Sequence, residues 1–362
     1  MSKLQSADFA YTFDDFVLIP QYSKIKSRKD PDISINIKGF NYSIPIISSP
    51  MNTVTEEDMI ITMAELGGFG VLHRYMTVDE QVRIAKYSLL RTKYDRSNPS
   101  FYVAVGANGD FKDRVTKLHK IGITGFCVDV ANGHNEKSIQ AVQSIKRMVP
   151  ESLVMAGNVV TYDGAYRLAE AGANSIRVGI GSGSLCLTRQ VTGHGLPQLS
   201  AIEDCARIKC QNSKQKAFPN VAIIADGGIR KSGDIVKCIA IGADAVILGS
   251  LLSGTREAPG EIIEENGRLY KYYQGMASNE ARSKYKGQST GVPEEGVSKK
   301  VLYTGKVAHK VVEKLCKATK VGLSFSGANN IDELRINAKW RRVTNAGYVE
   351  GTPHGIPSNN EL

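Results

Sequence analysis

Residues 179–190 read GIGSGSLCLTRQ, which sets Cys186 at the end of a glycine-rich loop, two residues before Thr188 and three before Arg189. A thiol among backbone N–H groups, with a cation beside it, is a candidate nucleophile, because those groups favour the thiolate. The plainer alternative is a cysteine that only packs. Cys127, Cys205, Cys210, Cys238 and Cys316 fit that alternative, lying in apolar or helical runs such as FCVDV and VKCIAIGA. None forms a CxxC pair, and their scatter reads as reduced thiols rather than a disulfide framework.

Two further loops suit an anion. DGG at 226–228 and GS at 249–250 each follow an apolar run, where backbone N–H groups at a strand end hold phosphate. Ser184 and Ser250 add hydroxyl donors. Asp226 would repel a phosphate, so it is assigned to ribose hydroxyls instead. These glycines also suit plain tight turns, but two such loops on successive strands favour the anion.

Something must bring these loops to one place. Eight short apolar runs recur along the chain: SIPIISS (43–49), GFGVLH (68–73), FYVAVGA (101–107), GFCVDV (125–130), SLVMAG (152–157), SIRVGI (175–180), NVAIIADGG (220–228) and DAVILGS (244–250). Between them lie stretches of helical periodicity, several ending in Gly. Strands apolar on both faces that alternate with helices predict a parallel sheet, and eight such units predict a closed (β/α)8 barrel, an α/β TIM barrel. An open doubly wound sheet is the alternative, but no GxGxxG follows the first strand. In a barrel the chemistry gathers at the carboxyl ends of the strands. SSPMN, HRY, DVANGH, GNVVT, GIGSGSLC, DGG and GS all fall there.

Residues 1–362 read as one such domain. Within it, 270–300 is polar and Gly-rich, which predicts a mobile lid. Segments 306–319 and 330–340 read as helices, and the tail 345–362 as extended. Lysine and arginine outnumber the acids to give a formal charge of +10. They are dispersed, apart from KIKSRK at 24–29, so they read as a basic surface and argue against a nucleic-acid partner. No apolar run approaches the roughly 20 residues that span a bilayer, and no leader is evident, so a cytoplasmic protein is expected.

The combination is more specific than its parts. GIGSGSLCLTRQVTGHGLPQLSA, IIADGGI, ILGSLLSGTREAPGE, YKYYQGMAS and VPEEG, in that order, resemble the IMP dehydrogenase/GMP reductase family over about residues 10–355. The resemblance implies that Cys186 attacks C2 of a purine nucleotide, with Thr188 and Glu295 handling protons. It implies potassium held by the carbonyls of Gly181, Gly183 and Cys186. Ser184, Gly228, Gly249, Ser250 and Tyr273 match phosphate ligands, and Asp226 matches the ribose ligand. Met51, Gly275 and Met276 match residues beside the base; Asp129 matches the carboxylate near the nicotinamide, with Asn132 expected to help. Asn52 stands where the family more often has aspartate.

The family runs two reactions. The dehydrogenases resemble water-activating enzymes with an Arg-Tyr pair in the lid, and the stretch between Met276 and Glu295 has none; Lys284-Tyr285 comes too early, with the wrong cation. VDVANGH, AGNVVT and TGHGLPQLSA look like GMP reductase, whereas IIADGGI, TREAPGE and AGYVEGTPHG are closer to the dehydrogenases. The chain also runs from HRYMTVDEQV into FYVAVGA without room for the usual regulatory insert. The resemblance therefore implies an NADPH-dependent GMP reductase that binds a purine nucleotide monophosphate and assembles as a homotetramer, with Glu350 reaching a neighbour's cation site. IMP dehydrogenase is the alternative. A non-catalytic nucleotide- or RNA-binding relative is a third reading, opposed by the retained Cys186, Thr188 and Glu295.

Overall fold

The computed structural model describes residues 7–93, 99–210, 217–286 and 293–353. Eight parallel strands close into a barrel: β1 (Ile46–Ser48), β2 (Phe69–Leu72), β3 (Phe101–Val105), β4 (Gly125–Asp129), β5 (Leu153–Val159), β6 (Ser175–Val178), β7 (Ala222–Asp226) and β8 (Ala245–Leu248). The ring shuts where Val246 of β8 lies beside Ile46 of β1. All eight expected strands are present. The reason is visible in β3, whose every residue is buried, because one face packs the barrel interior and the other meets helices.

The surrounding helices are α1 (Glu57–Glu65), α2 (Val78–Arg91), α3 (Phe111–Lys120), α4 (Glu136–Met148), α5 (Tyr162–Glu170), α6 (Gln198–Ala206), α7 (Ser232–Ile241) and α8 (Ala308–Phe325). Their starts are written locally. Thr77, Asn135 and Thr161 each accept a hydrogen bond from a backbone N–H in the first turn of α2, α4 and α5. Such caps contribute about 1 kcal/mol each.

The amino-terminal end of the barrel is closed. A hairpin of Ile35–Ile37 and Phe40–Tyr42 lies there, and Tyr42, Phe69 and Tyr102 form a run of rings with centroids 4.6 and 4.8 Å apart. The opposite end stays open.

Two expectations need correction. Residues 270–300 are not one loop: Arg268–Gln274 is the central strand of a three-stranded antiparallel sheet with Ile263–Glu265 and Ser298–Leu302, and Asn279–Lys286 is helical. Tyr273 and Lys271 point inward while Tyr272 between them is exposed, a strand alternation that the polar composition hid. Residues 287–292 lie outside the described residues, as do the side chains of Lys284 and Tyr285. The tail is likewise not extended throughout. Asn345–Glu350 is a short helix capped by Thr344, whose hydroxyl accepts from Gly347 N–H at 3.2 Å, and residues 354–362 lie outside the description. No helix among the described residues is long and apolar enough to cross a membrane.

Candidate active site

At the open end the loops after the strands surround one cavity of about 560 Å³. Its walls carry Cys186, Thr188 and Glu295 together with Met51, Gly275 and Met276. Ser184, Gly228, Gly249, Ser250 and Tyr273 line it too, as do Asp129, Asp226, Gly181 and Gly183. These residues, drawn from the ends of β1, β4, β6, β7 and β8 and from the sheet after β8, thus meet in one space.

The thiol stands at the head of a hydrogen-bonded chain. Cys186 Sγ donates to Thr188 Oγ1 at 3.1 Å, and Thr188 Oγ1 donates to Glu295 Oε2 at 3.0 Å. The backbone fixes this geometry. Leu187 N–H donates to the Glu295 carbonyl at 2.8 Å, Val297 N–H to the Leu185 carbonyl at 3.0 Å, and Cys186 pairs with Gly296 as an antiparallel bridge. The segment carrying Glu295 is therefore stitched to the cysteine loop by main-chain bonds, so the carboxylate does not depend on side-chain packing to reach Thr188. Glu294 instead accepts from Asn279 N–H, which settles which of the two adjacent glutamates faces the thiol.

The loop takes this shape because glycine permits it. Gly179 has φ +143°, and a Cβ there would collide with the Asp226 carbonyl oxygen. The β6 and β7 loops consequently lie against each other, with the thiol loop beside the DGG turn.

The six cysteines divide sharply. Burial pushes the Cys127 and Cys316 thiols up to about 12, and raises Cys205 and Cys238 well above the usual thiol range. Cys210 departs from its expected packing role: it follows α6 at the end of a 3-10 turn and is exposed. A thiol reagent at about pH 8 should therefore label Cys186 and Cys210 and spare the other four. Mass mapping of the labelled peptides checks this; rapid labelling of Cys127 would contradict it.

Across the cavity, Tyr273 is buried beside Gly249, and burial raises its hydroxyl to about 12 despite a bond with Ser184 that opposes the shift. Tyr273 thus stays a protonated donor near neutrality. Because its folded value lies above the unfolded one, its contribution to stability is intact below about pH 10 and is lost as pH rises through about 12.

Sequence reasoning missed a second polar network. Arg177 on β6 is buried and donates from Nη1 to Asp129 Oδ1 at 2.7 Å and from Nη2 to Asp226 Oδ2 at 2.6 Å. Asn158 Nδ2 also donates to Asp226 Oδ2, at 2.9 Å, and Arg74 Nε donates to the Asp129 carbonyl at 3.2 Å. Burial opposes the Arg177 charge, yet Asp226 above all, then Cys127 and Asp129, hold its pKa well above the usual value. The signal was present in SIRVGI: a charge inside a run apolar on both faces needs an opposite charge nearby.

Asn132 is the one expected site residue that does not line the cavity. It is exposed, its side-chain oxygen accepts from His134 N–H at 3.0 Å, and Val130 and Ala131 take the wall position instead. Asn52 finds a role of another kind. Its Nδ2 donates to Gln274 Oε1 at 3.1 Å, and Thr53 Oγ1 accepts from Gln274 N–H at 3.1 Å, tying the loop after β1 to the strand that leads into Gly275 and Met276.

Among the described residues no group of three or more His, Cys, Asp or Glu side chains is placed to hold a metal ion. The oxygen atoms of the thiol loop's backbone have the donor chemistry a hard monovalent cation takes. One of them is partly engaged, since the Gly183 carbonyl accepts from Cys186 N–H at 3.1 Å.

Comparison with known proteins points to one family. The model for the IMP dehydrogenase / GMP reductase domain matches residues 10–354. An inosine-5'-monophosphate dehydrogenase of Borreliella burgdorferi is 34% identical over 400 aligned positions, covering 96% of this chain and 97% of its own. One from Nitrosopumilus maritimus is 30% identical over 474 positions, covering 95% and 98%. Among solved structures, a cysteine-to-alanine variant of GMP reductase from Trypanosoma brucei, in complex with guanosine 5'-monophosphate, superposes with a TM-score of 0.89 at 26% identity, covering 98% of this chain and 100% of that one.

Proposed function

Because the chain belongs to the IMP dehydrogenase / GMP reductase family, we propose that it is a GMP reductase, converting GMP, a reduced nicotinamide and two protons into IMP, ammonium and the oxidised nicotinamide. The observation that carries the reading is the unbroken path from Cys186 Sγ through Thr188 to Glu295. Reductive deamination needs one proton relay, and this is one. Hydrolysis of a covalent intermediate needs a second base for water, and the sequence from Met276 to Glu295 holds no Arg-Tyr pair to serve.

In this reading the nucleotide phosphate meets Ser184, Gly228, Gly249, Ser250 and the Tyr273 hydroxyl, and Asp226 accepts from the ribose. Met51, Gly275 and Met276 hold the base over Cys186. The sulfur attacks C2 while its proton passes through Thr188 to Glu295; the same carboxyl then returns a proton to the departing amine. The carbon–nitrogen bond breaks, ammonia leaves, and a thioimidate joins Cys186 to C2. When bound, the reduced nicotinamide supplies the hydride that ends at C2. The carbon–sulfur bond then breaks and Cys186 leaves as thiolate.

Asp129, beside Arg74 at the other side of the cavity, is where the nicotinamide would be received, and 560 Å³ falls within the range of small-molecule sites. The complex of the trypanosomal reductase with GMP supports the substrate. NADPH as the reductant, potassium at the Gly181, Gly183 and Cys186 carbonyls, a cytoplasmic location and a homotetramer are supported by family membership alone. Loss of the Asn52–Gln274 bond, at about 1 kcal/mol, should raise the KM for GMP about fivefold in Asn52→Ala, with kcat changed less. Steady-state kinetics check this; a loss confined to kcat would contradict it.

The names of the sequence relatives favour a second reading, IMP dehydrogenase with NAD. Two mixtures separate the readings: GMP with NADPH, and IMP with NAD, each followed at the nicotinamide absorbance band. Loss of reduced cofactor in the first, with IMP and ammonia formed, is expected. Gain in the second alone, with xanthosine monophosphate formed, overturns the reductase.

A further inference from the structure

Arg177 joins the two halves of the cavity. The carboxylate at the end of β4 and the carboxylate at the end of β7 lie on strands that are not neighbours, and one guanidinium between them takes one oxygen from each, at 2.7 and 2.6 Å. Arg177 Nε has no partner, so Asp129, Asp226 and a long contact from Nη1 to Cys127 Sγ at 3.5 Å are what fix the fork. Its backbone is held as closely: a Cβ on Gly157 of β5 would come within 2.6 Å of Arg177 Cβ. The polar row continues outward at both ends. Arg74 Nε stands 3.6 Å from Asp129 Oδ2, and Asn158 adds its bond to Asp226 Oδ2. The result is a row, Arg74–Asp129–Arg177–Asp226–Asn158, laid across the cavity wall and lined up from one binding half to the other.

Resting on the reading of Asp226 as the ribose ligand and Asp129 as the nicotinamide-side carboxylate, we propose that Arg177 is a positioning residue that couples the two ligands, so that a nucleotide bound at Asp226 tightens cofactor binding at Asp129. Neither carboxylate can change rotamer without moving the guanidinium they share, because both of its outer nitrogens are committed. A ligand that locks Asp226 therefore locks Arg177 and, through it, Asp129. The ordering cost of the second half is then met by the first ligand, which is positive coupling without a change of fold. In a buried site such a network resists partial rearrangement, since a carboxylate deprived of its partner is left uncompensated. Lysine at this position would keep the charge but offers one nitrogen centre in place of a planar fork, and cannot hold both carboxylates in the same geometry.

Thermodynamic linkage makes the proposal measurable on the intact protein, since the factor by which GMP changes cofactor affinity equals the factor by which cofactor changes GMP affinity. Titration calorimetry with NADP+, which gives no turnover with GMP, is run with and without saturating GMP. The wild type should bind NADP+ at least about fivefold more tightly when GMP is present. Arg177→Lys should bind both ligands with that ratio reduced to near one. A second arm leaves Arg177 in place. Asp129→Asn, remote from the ribose, should weaken GMP binding at least about threefold in the wild-type background and have no such effect in Arg177→Lys. A wild-type ratio near one, an unchanged ratio in Arg177→Lys, or a GMP affinity indifferent to Asp129→Asn overturns the coupling while the reductase reading stands. If the wild type binds IMP and NAD but not GMP and NADP+, the reductase reading falls, and the same ratio is measured with IMP and NADH, a pair that gives no turnover.

Discussion

Cys186→Ala is expected to lower turnover of GMP at least about a thousandfold while leaving GMP affinity within a few-fold of the wild type. The loss is large because the sulfur is the only group in the account that bonds to C2, and no neighbouring side chain can replace it. Binding survives because the loop around residue 186 is held by its backbone. Cys186 N–H donates to the Gly183 carbonyl, Leu187 N–H to Glu295 and Val297 N–H to Leu185, and none of these involves the thiol. Alanine keeps the Cβ and therefore the loop. Equilibrium binding of GMP by calorimetry, beside steady-state rates, separates the two effects. A variant that retained a tenth of the activity would remove Cys186 from the chemistry; one that bound no GMP would mean that the thiol shapes the site instead.

Glu295→Gln should slow release of ammonia by about a hundred- to ten-thousandfold, the usual range for losing a general acid–base. The substitution is nearly isosteric. The glutamine side-chain oxygen can still accept from Thr188 Oγ1, as Glu295 Oε2 does at 3.0 Å, so the hydroxyl keeps its orientation toward Cys186. What is lost is the capacity to store the thiol proton and return it to the leaving amine. GMP affinity should stay within about threefold, since Glu295 holds the relay and not the phosphate or the ribose. Single-turnover measurement of ammonia tests this directly. An undiminished rate would require another base.

The barrel was legible because its strands are apolar on both faces, short β-branched or aromatic runs bounded by turn residues and alternating with helical stretches, as in FYVAV or AVIL. The sheet after β8 was hidden for the converse reason. YKYYQ and SKKVL carry lysines on both faces, which breaks any apolar alternation, and their pairing from Tyr270–Leu302 to Gln274–Ser298 is a long-range fact no local rule supplies. The thiol loop, the DGG and GS loops and their glycines, all of which line the cavity, were readable from residue type, and the resemblance added Thr188 and Glu295. Arg177 was overlooked inside a strand, although a buried charge there demanded partners. Asn132 was placed by its nearness in sequence to Asp129, but the chain turns after Ala131 and spends the Asn132 side chain on the loop that starts α4. Asn52 could not be understood from the sequence, because its partner Gln274 lies more than two hundred residues away and is reached only through the closed barrel.

The most direct test is the mass of the protein quenched in acid during turnover with GMP and NADPH. A covalent adduct equal to GMP less ammonia, mapped to the peptide containing Cys186, is the expected result. Turnover with every cysteine peptide unmodified under conditions where the bond survives the quench, or an adduct carried by a different cysteine, would contradict it.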